Sequence, residues 1–222
     1  MVKKLWNTNN TTVDLSRSYL NSFNISKLIN LASNIQRASY MLLLDLANKE
    51  MWRNKIYNDA KRREFGKDWN STFLFLIFDE GHLMVDRKNP MTTSFLAETG
   101  ARCRKYSTSL IIATQNVKTF TGDPEILYQS TRIINNTQYS MSLGLKENDI
   151  AELDKLWEPI GGLTEQEKEY LASAQKGDCI FSTSSQTRTQ LQIDIGGDIA
   201  FRKYANFIKN DHEVKSQEIE EE

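Results

Sequence analysis

Residues 73–82 read FLFLIFDEGH, an apolar run that is followed at once by two carboxylates, a glycine and a histidine. The run from Phe73 to Phe78 has the length of a strand, and its continuous apolar character is typical of a parallel strand covered on both faces. In open α/β sheets, ligands bind beyond the carboxyl ends of the strands. The stretch therefore predicts a buried parallel strand with Asp79 and Glu80 at a ligand-binding edge.

Composition narrows the class of protein. The 222 residues are 39% hydrophobic and 26% charged, the profile of a globular protein. The 28 Lys and Arg against 29 Asp and Glu exclude a strongly basic protein that coats nucleic acid. No apolar run approaches the about 20 residues that a spanning helix needs, and MVKKLWNTNNTT at the N-terminus has no apolar signal region. Cys103 and Cys179 show no metal-ligand spacing, so we expect two buried thiols in a reducing, cytoplasmic setting.

Upstream of the strand, the sequence predicts a short strand and a long helix. FNIS at 23–26 has the character of a short strand. Ser33 and Gln36 have the S-x-x-Q form of a capping box, which predicts a helix start. Apolar residues then recur at helical spacing, and we expect the helix to continue as far as Gly66.

Downstream, apolar runs alternate with helix signals. Asn89-Pro90 predicts a helix start, with the helix running to about Arg104. SLIIA at 109–113 is a second candidate buried strand, Asp123-Pro124 starts a short helix, and TRIIN at 131–135 is a third candidate strand. Strand, helix, strand, helix, strand is the pattern of a parallel α/β sheet.

The last third of the chain predicts two helices, a hairpin and a final helix. The second of the two helices opens on Thr164 and Glu167, another capping box. The predicted elements are helices at 147–157 and 164–174, strands at 178–184 and 187–194, and a helix at 199–208. We therefore expect a helical segment at 1–70 continuous with a core at 71–210, followed by a disordered acidic tail at 211–222.

The acidic pair has two interpretations. An Asp after an apolar strand is what a Walker B strand supplies, because it holds Mg²⁺ through water while the next Glu orients the attacking water. Alternatively, Asp79 and Glu80 merely end a strand and begin a turn. Gln115 follows the second strand at the same predicted edge. Its amide either contacts a γ-phosphate or the attacking water, or it simply caps the following loop.

Three cations cluster between the two strands. Arg102, Arg104 and Lys105 surround a helix C-terminus, where the helix dipole favours cations without any function. The functional alternative is that one arginine meets phosphate, in its own subunit or as an arginine finger in a neighbour. His82 has no neighbouring cysteine or histidine, so we interpret it as a conformational link after Glu80 rather than a metal ligand.

The ordered set FLFLIFDEGH, FLAETGARCRKYSTSLIIATQ and ILYQSTRIINN resembles the conjugal-transfer ATPases of type IV secretion systems, the VirB-type, TraE/TrbE-like class of the RecA-like/HerA–FtsK group. The resemblance covers about residues 20–195. It implies an α/β fold, a partial RecA-like P-loop NTPase core with a long N-terminal helix and a C-terminal hairpin plus helix.

The resemblance also implies roles for individual residues. Asp79 would be the Mg²⁺-linked carboxylate, Glu80 the catalytic carboxylate and Gln115 the sensor, while Arg102, Arg104 and Lys105 are candidates for phosphate contact. ATP and Mg²⁺ are the implied cofactors. The implied partners are other ATPase subunits and the secretion apparatus at the inner face of the cell membrane, with DNA as a possible transported substrate.

One part of the family pattern is absent from the sequence. None of the ten glycines begins G-x-x-x-x-G-K-[ST], the phosphate-binding loop. We therefore expect these residues alone to bind nucleotide very weakly and to be inactive. We also expect an empty slot between SLIIATQ and TRIIN, so that the chain self-associates, pairs with a separate N-terminal half or has a locally altered sheet. The alternative interpretations are a non-catalytic docking fragment and a piece of a DExH-type helicase. The second is considered because DEGH resembles the DExH box of those helicases.

Overall fold

The computed structural model describes residues 19–28, 30–66, 69–85, 90–184 and 187–193. It divides into two compact units, the first formed by residues up to Thr137 with Ala151–Gly162, the second by Gln138–Ile150 and the residues from Leu163 onward. The predicted cap at Asn89, the helix at 199–208 and the acidic tail lie outside the described residues. The architecture is mixed α/β, as predicted, with one parallel and one antiparallel sheet.

A long helix, α1 (Ser33–Phe65), forms one side of the first unit. It ends at Gly66, as predicted, where φ is 69° and glycine avoids the strain that a side chain would bring. The predicted capping box is wrong: Ala32 is the N-cap, and Ser33 already has helical backbone angles, so its hydroxyl is not placed to accept the third amide. FNIS is not a strand either, because Ser26–Leu28 forms a short 3-10 turn.

The first unit contains the two predicted parallel strands, β1 (Leu74–Phe78) and β2 (Thr108–Ile112), connected through α2 (Pro90–Cys103). The strands pair in parallel, with Phe75 opposite Ser109 and Ile77 opposite Ile111. This confirms both strand positions and their orientation.

The expectation that both faces of β1 are covered is wrong. Burial alternates along β1, and Phe75 and Ile77 are 60% and 65% exposed. Exposed apolar side chains on this side form what we call the open face: Phe73, Phe75, Ile77 and Ile111. The apolar run suits a strand that is covered on both faces, but the layer that would cover the open face does not lie among the described residues.

Two asparagines of α1 close the amino end of the parallel sheet. The Asn58 side chain is buried, donates to the Thr72 carbonyl over 2.8 Å and accepts from the Thr72 amide over 2.8 Å. Asn54 donates to the carbonyls of Tyr106 and Ser107. These side chains satisfy backbone groups that the ladder leaves open, which fixes α1 against the start of both strands.

The predicted third strand, TRIIN, is wrong because residues 131–135 lie in α3 (Pro124–Asn136). The helix start at Asp123-Pro124 is confirmed, since the Asp123 carboxylate accepts from the Glu125 amide over 3.0 Å. Ile126 and Ile133 are buried along one side, at helical rather than strand spacing. Within the described residues, β2 consequently has no strand neighbour on its second side.

The second unit holds β3 (Ser140–Leu143), β4 (Asp178–Ser182) and β5 (Arg188–Gln192), which form an antiparallel sheet in that order. The β4–β5 hairpin was predicted and β3 was not. The helix α5 (Glu165–Ser173) begins with the predicted capping box of Thr164 and Glu167. Another predicted helix, α4 (Glu147–Trp157), begins in the second unit and ends in the first.

Candidate functional site

The carboxyl ends of β1 and β2 bring the predicted acidic residues and Gln115 together. After β1 the chain turns toward β2, because the Gly81 amide donates to the Ala113 carbonyl over 2.7 Å. The Ala113 amide in turn donates to the Phe78 carbonyl over 2.9 Å. The residues that follow the two strands are thus fixed against each other at one edge of the sheet.

Glu80 is held by both of its carboxylate oxygens. Its Oε1 accepts a hydrogen bond from Gln115 Nε2 over 3.0 Å. Its Oε2 is shielded from solvent and lies 3.1 Å from His82 Nδ1, within ion-pair distance but without a directed hydrogen bond. Glu80 also has φ 53° and ψ 47°, a left-handed backbone that costs a residue with a side chain about 1–3 kcal/mol. Such strain is common at functional sites, where the surrounding structure enforces it.

His82 connects the ends of the two strands, which agrees with its interpretation as a link. Its Nδ1 also lies 3.5 Å from Thr114 Oγ1, at the end of β2. Thr114 Oγ1 accepts from the Asn116 amide over 3.1 Å, which fixes the hydroxyl group. Sequence reasoning gave Thr114 no role and missed this contact.

Gly81 permits the close approach of the two strand ends. A Cβ atom at this position would lie 2.3 Å from Ile112 Cγ2, far inside van der Waals distance. The glycine in DEGH is therefore required by packing between β1 and β2 rather than by backbone angles. The glycine that follows the two acids in DEGH is the sequence signal for this close approach.

Asp79 is exposed at the same edge and accepts a hydrogen bond from the Glu80 amide over 3.0 Å. In the part of the chain that the structure describes, no group of three or more His, Cys, Asp or Glu could enclose a metal ion. Mg²⁺ at nucleotide sites is commonly held by one or two carboxylates together with phosphates and water. Asp79, exposed at the end of β1, fits that role.

The predicted cations lie at the opposite edge of the sheet. Arg104 and Lys105 form a short 3-10 turn that precedes β2, whereas Glu80 and Gln115 follow the carboxyl ends. A five-residue strand separates these edges by about 17 Å. Arg102 instead pairs with Glu98 over 3.4 Å on the surface of α2, an exposed ion pair of little energetic weight. The structure therefore does not bring these three cations to Asp79 or Glu80 of the same chain.

Both cysteines are free and buried, as predicted. Burial raises the pKa of the Cys103 thiol to about 11, so the thiol is uncharged and a poor nucleophile at neutral pH. Neither cysteine belongs to the edge that carries Glu80.

Comparison with known proteins finds similarity among solved structures. No protein-family model matches the chain, and no curated protein matches it significantly. Among solved structures, VirB4 of Thermoanaerobacter pseudethanolicus is similar, with a TM-score of 0.62 and 26% sequence identity. The similarity covers 77% of this chain and 40% of VirB4, so the chain spans well under half of that protein's length. Within the described residues, no helix is both long and apolar enough to cross a membrane.

The similarity includes sequence as well as fold, and it agrees with the family that the ordered motifs resemble. The parallel pair β1–β2 with its flanking helices and the added antiparallel sheet correspond to part of a RecA-like core. The chain is therefore related to the VirB4-type ATPases of type IV secretion systems and carries part of their RecA-like core.

Proposed function

We propose that this chain supplies the catalytic carboxylate and the sensor of a VirB4-type motor ATPase that couples ATP hydrolysis to the transfer of DNA or protein. The observation that carries the proposal is the hydrogen bond of 3.0 Å between Gln115 Nε2 and Glu80 Oε1. It joins the two side chains that such a reaction needs, at the carboxyl edge where ligands of α/β sheets bind.

Each side chain has a role that follows from its chemistry. Glu80 orients the attacking water and accepts its proton, because it is the carboxylate that is hydrogen-bonded to Gln115 at the ends of the two strands. Gln115 has a neutral amide that senses an anionic phosphate by donating a hydrogen bond to it. The Nε2 group carries two hydrogens, so it can donate to a phosphate while it keeps its bond to Oε1, and this amide then joins the sensor to the base. Asp79 would hold Mg²⁺, which supplies charge neutralisation of the phosphates when bound.

The phosphate-binding loop has to come from outside residues 1–222, since none of the ten glycines begins the required pattern. Two features of the first unit support such an addition. The second edge of β2 is free among the described residues, and the open face is apolar. A parallel strand beside β2 would end next to Gln115, and the loop after that strand would then meet the carboxylates.

Arg102, Arg104 and Lys105 fit a role between subunits better than one within the chain. They lie on the amino edge, exposed and away from Glu80. In an oligomer, such a surface is available to a phosphate bound by a neighbouring subunit. We accordingly include other ATPase subunits and the secretion apparatus at the inner face of the membrane among the proposed partners.

A second function, that of a non-catalytic docking fragment, is favoured by one observation. The open face and the free edge of β2 suit association with an intact subunit whether or not turnover follows. The two functions differ in their dependence on Glu80, because docking through apolar contacts does not require a carboxylate.

The test is Mg²⁺-dependent ATP turnover by the purified chain, alone and mixed with the portion of VirB4 that this chain does not match. We expect no turnover alone. In the mixture we expect turnover that Glu80→Gln lowers by about 100-fold or more, the usual weight of a general base. Glu158→Gln, an exposed carboxylate outside the site, is the matched control and should retain activity.

Turnover in the mixture that survives Glu80→Gln would contradict the catalytic role. Stable binding of the VirB4 portion without any turnover would favour the docking function instead.

A further inference from the structure

The solvent-facing side of α1 carries a regular series of exposed and half-exposed residues, of which Trp52 also meets the Tyr106 ring edge to face, with 5.3 Å between the ring centroids. We call it the outer stripe, and its members are spaced alternately by three and four residues: Leu42, Asp45, Lys49, Trp52, Ile56, Asp59 and Arg63. Ile56 is 62% exposed, and Leu42 and Trp52 are each 49% exposed. The buried side of the same helix is formed by other residues, among them Tyr40, Leu44 and Met51. The stripe thus leaves apolar surface exposed on a helix whose other side is buried.

The spacing is that of a helix–helix contact. Residues three and four apart lie one above the other on a helix surface, so the stripe runs along one line. Alternating steps of three and four keep such a line facing a neighbouring helix over several turns. From Leu42 to Arg63 the line is about 32 Å long at 1.5 Å per residue. That length is sufficient for a specific contact between two helices.

The order of charges along the stripe makes it complementary to itself. In an antiparallel pairing centred on residue 54, Trp52 faces Ile56 of the second copy. On either side, Lys49 faces Asp59 of the second copy and Asp45 faces Arg63 of the second copy. Each contact occurs twice because a twofold axis relates the copies. The result is an apolar centre flanked on both sides by pairs of opposite charge.

The reverse orientation is excluded by the same charges. A parallel, in-register pairing would place Asp45, Lys49, Asp59 and Arg63 each opposite its own copy, which sets four like charges against each other. The existing contacts do not compete strongly with the antiparallel arrangement. Asp45 pairs with Lys49 over 2.7 Å and Asp59 pairs with Lys55 within the helix, and these exposed pairs contribute little energy.

We propose that the outer stripe of α1 is an interface between two copies of this chain, which pair through it in antiparallel orientation. The proposal goes beyond the proposed function and does not depend on it, since none of the seven residues belongs to the edge that carries Glu80. The interface is narrow, and contacts of less than about 1,200 Å² are typical of weak, transient association. We therefore expect a dimer that forms and dissociates with concentration.

The first experiment is sedimentation equilibrium of the full chain over a concentration series, with Ile56→Lys as the disrupting variant. Two charges at the apolar centre should weaken dimerisation at least tenfold. Met91→Lys, at a methionine of α2 that is 65% exposed, is the matched control and should leave dimerisation unchanged. Circular dichroism checks that each variant keeps its helix content.

A wild-type chain that stays monomeric throughout the series would overturn the proposal. So would association that Ile56→Lys leaves intact, or association that is abolished by Ile77→Lys on the open face but not by Ile56→Lys. The last result would assign the contact to the parallel sheet instead.

A second experiment tests the orientation through charge. A basic variant, Asp45→Lys with Asp59→Lys, and an acidic variant, Lys49→Glu with Arg63→Glu, should each lose self-association because every facing pair becomes repulsive. Mixed in equal amounts, they should form a heterodimer in which all four facing pairs are attractive. Salt should weaken this heterodimer, since exposed charges are screened. Failure of the two variants to associate with each other would overturn the charge pairing of the stripe. The orientation is tested by Lys49→Glu alone, which should weaken self-association, and by Lys49→Glu with Asp59→Lys, which restores attraction only where residue 49 faces residue 59. A double variant that dimerises no better than Lys49→Glu alone would overturn the antiparallel arrangement.

Discussion

The two sheets of this molecule differ in how well the burial of their strands agrees with their apolar character. The antiparallel sheet of the second unit has α5 on one side, where Glu167 pairs with Arg188 over 3.2 Å and Ile180 is buried. The parallel pair in the first unit has a more apolar sequence, yet the side that carries Ile77 is exposed. The apolar side chains of a strand thus indicate what the strand is suited to contact. The layer that would cover the open face of β1 and β2 is absent from the described residues.

The comparison also separates local from distant pairing. A hairpin such as β4–β5 is specified by residues close in sequence, whereas parallel strands always depend on long connections. In the first unit, the neighbours that would complete the sheet do not lie among the described residues. The incomplete sheet is the one that carries the candidate site.

The largest difference in the free energy of unfolding should come from replacing an isoleucine by alanine in each of the two sheets. Ile180→Ala removes a fully buried side chain from β4 and should lower the free energy of unfolding by about 2–5 kcal/mol. Ile77→Ala removes an exposed side chain from β1 and should change it by less than about 0.5 kcal/mol. Urea denaturation followed by circular dichroism measures both. An equal loss for the two variants would show that the open face is covered in solution.

Two glycine substitutions in the first unit should change the stability by smaller amounts and in opposite directions. Gly81→Ala forces a Cβ against Ile112 and should destabilise the protein by about 1–3 kcal/mol. Gly100→Ala places its Cβ 3.8 Å from Leu110 Cδ2, an ordinary contact inside α2, and should stabilise by about 0.5–1 kcal/mol. Thermal unfolding of both variants gives the two signs. A neutral Gly81→Ala would mean that β1 and β2 approach less closely than described.

Much of the secondary structure follows from local signals in the sequence. The cap and proline at Asp123-Pro124, the capping box at Thr164 and the glycine at the end of α1 all act through neighbouring residues. TRIIN was misassigned because its three β-branched residues, Thr131, Ile133 and Ile134, fit a short strand or a buried helix equally well. Ile126 and Ile133, a full two turns apart, decide for the helix.

β3 was missed for a different reason. Its small buried serine, Ser142, alternates with exposed apolar neighbours, which reverses the usual arrangement of a half-buried strand.

The candidate site was predictable in part. That Glu80 and Gln115 meet follows from the rule that parallel strands share a carboxyl edge, and the structure brings them into contact. The left-handed backbone of Glu80 and the contact between His82 and Thr114 depend on the turn geometry, which no residue pattern specifies. The position of Arg104 on the far edge follows from the strand direction once β2 is known to start at Thr108.

The most direct test of the central claim is amide hydrogen exchange, resolved by residue, for the chain alone and with the unmatched portion of VirB4. The Ala113 amide points to β1, so the amides of Leu110 and Ile112 face the free edge because N–H directions alternate along a strand. We predict that these two amides exchange much faster than the amide of Ile180 in the chain alone, and gain protection when the VirB4 portion binds. Amides of Leu110 and Ile112 that are as protected as that of Ile180 in the free chain, or unchanged in the complex, would contradict an incomplete sheet that is completed from outside.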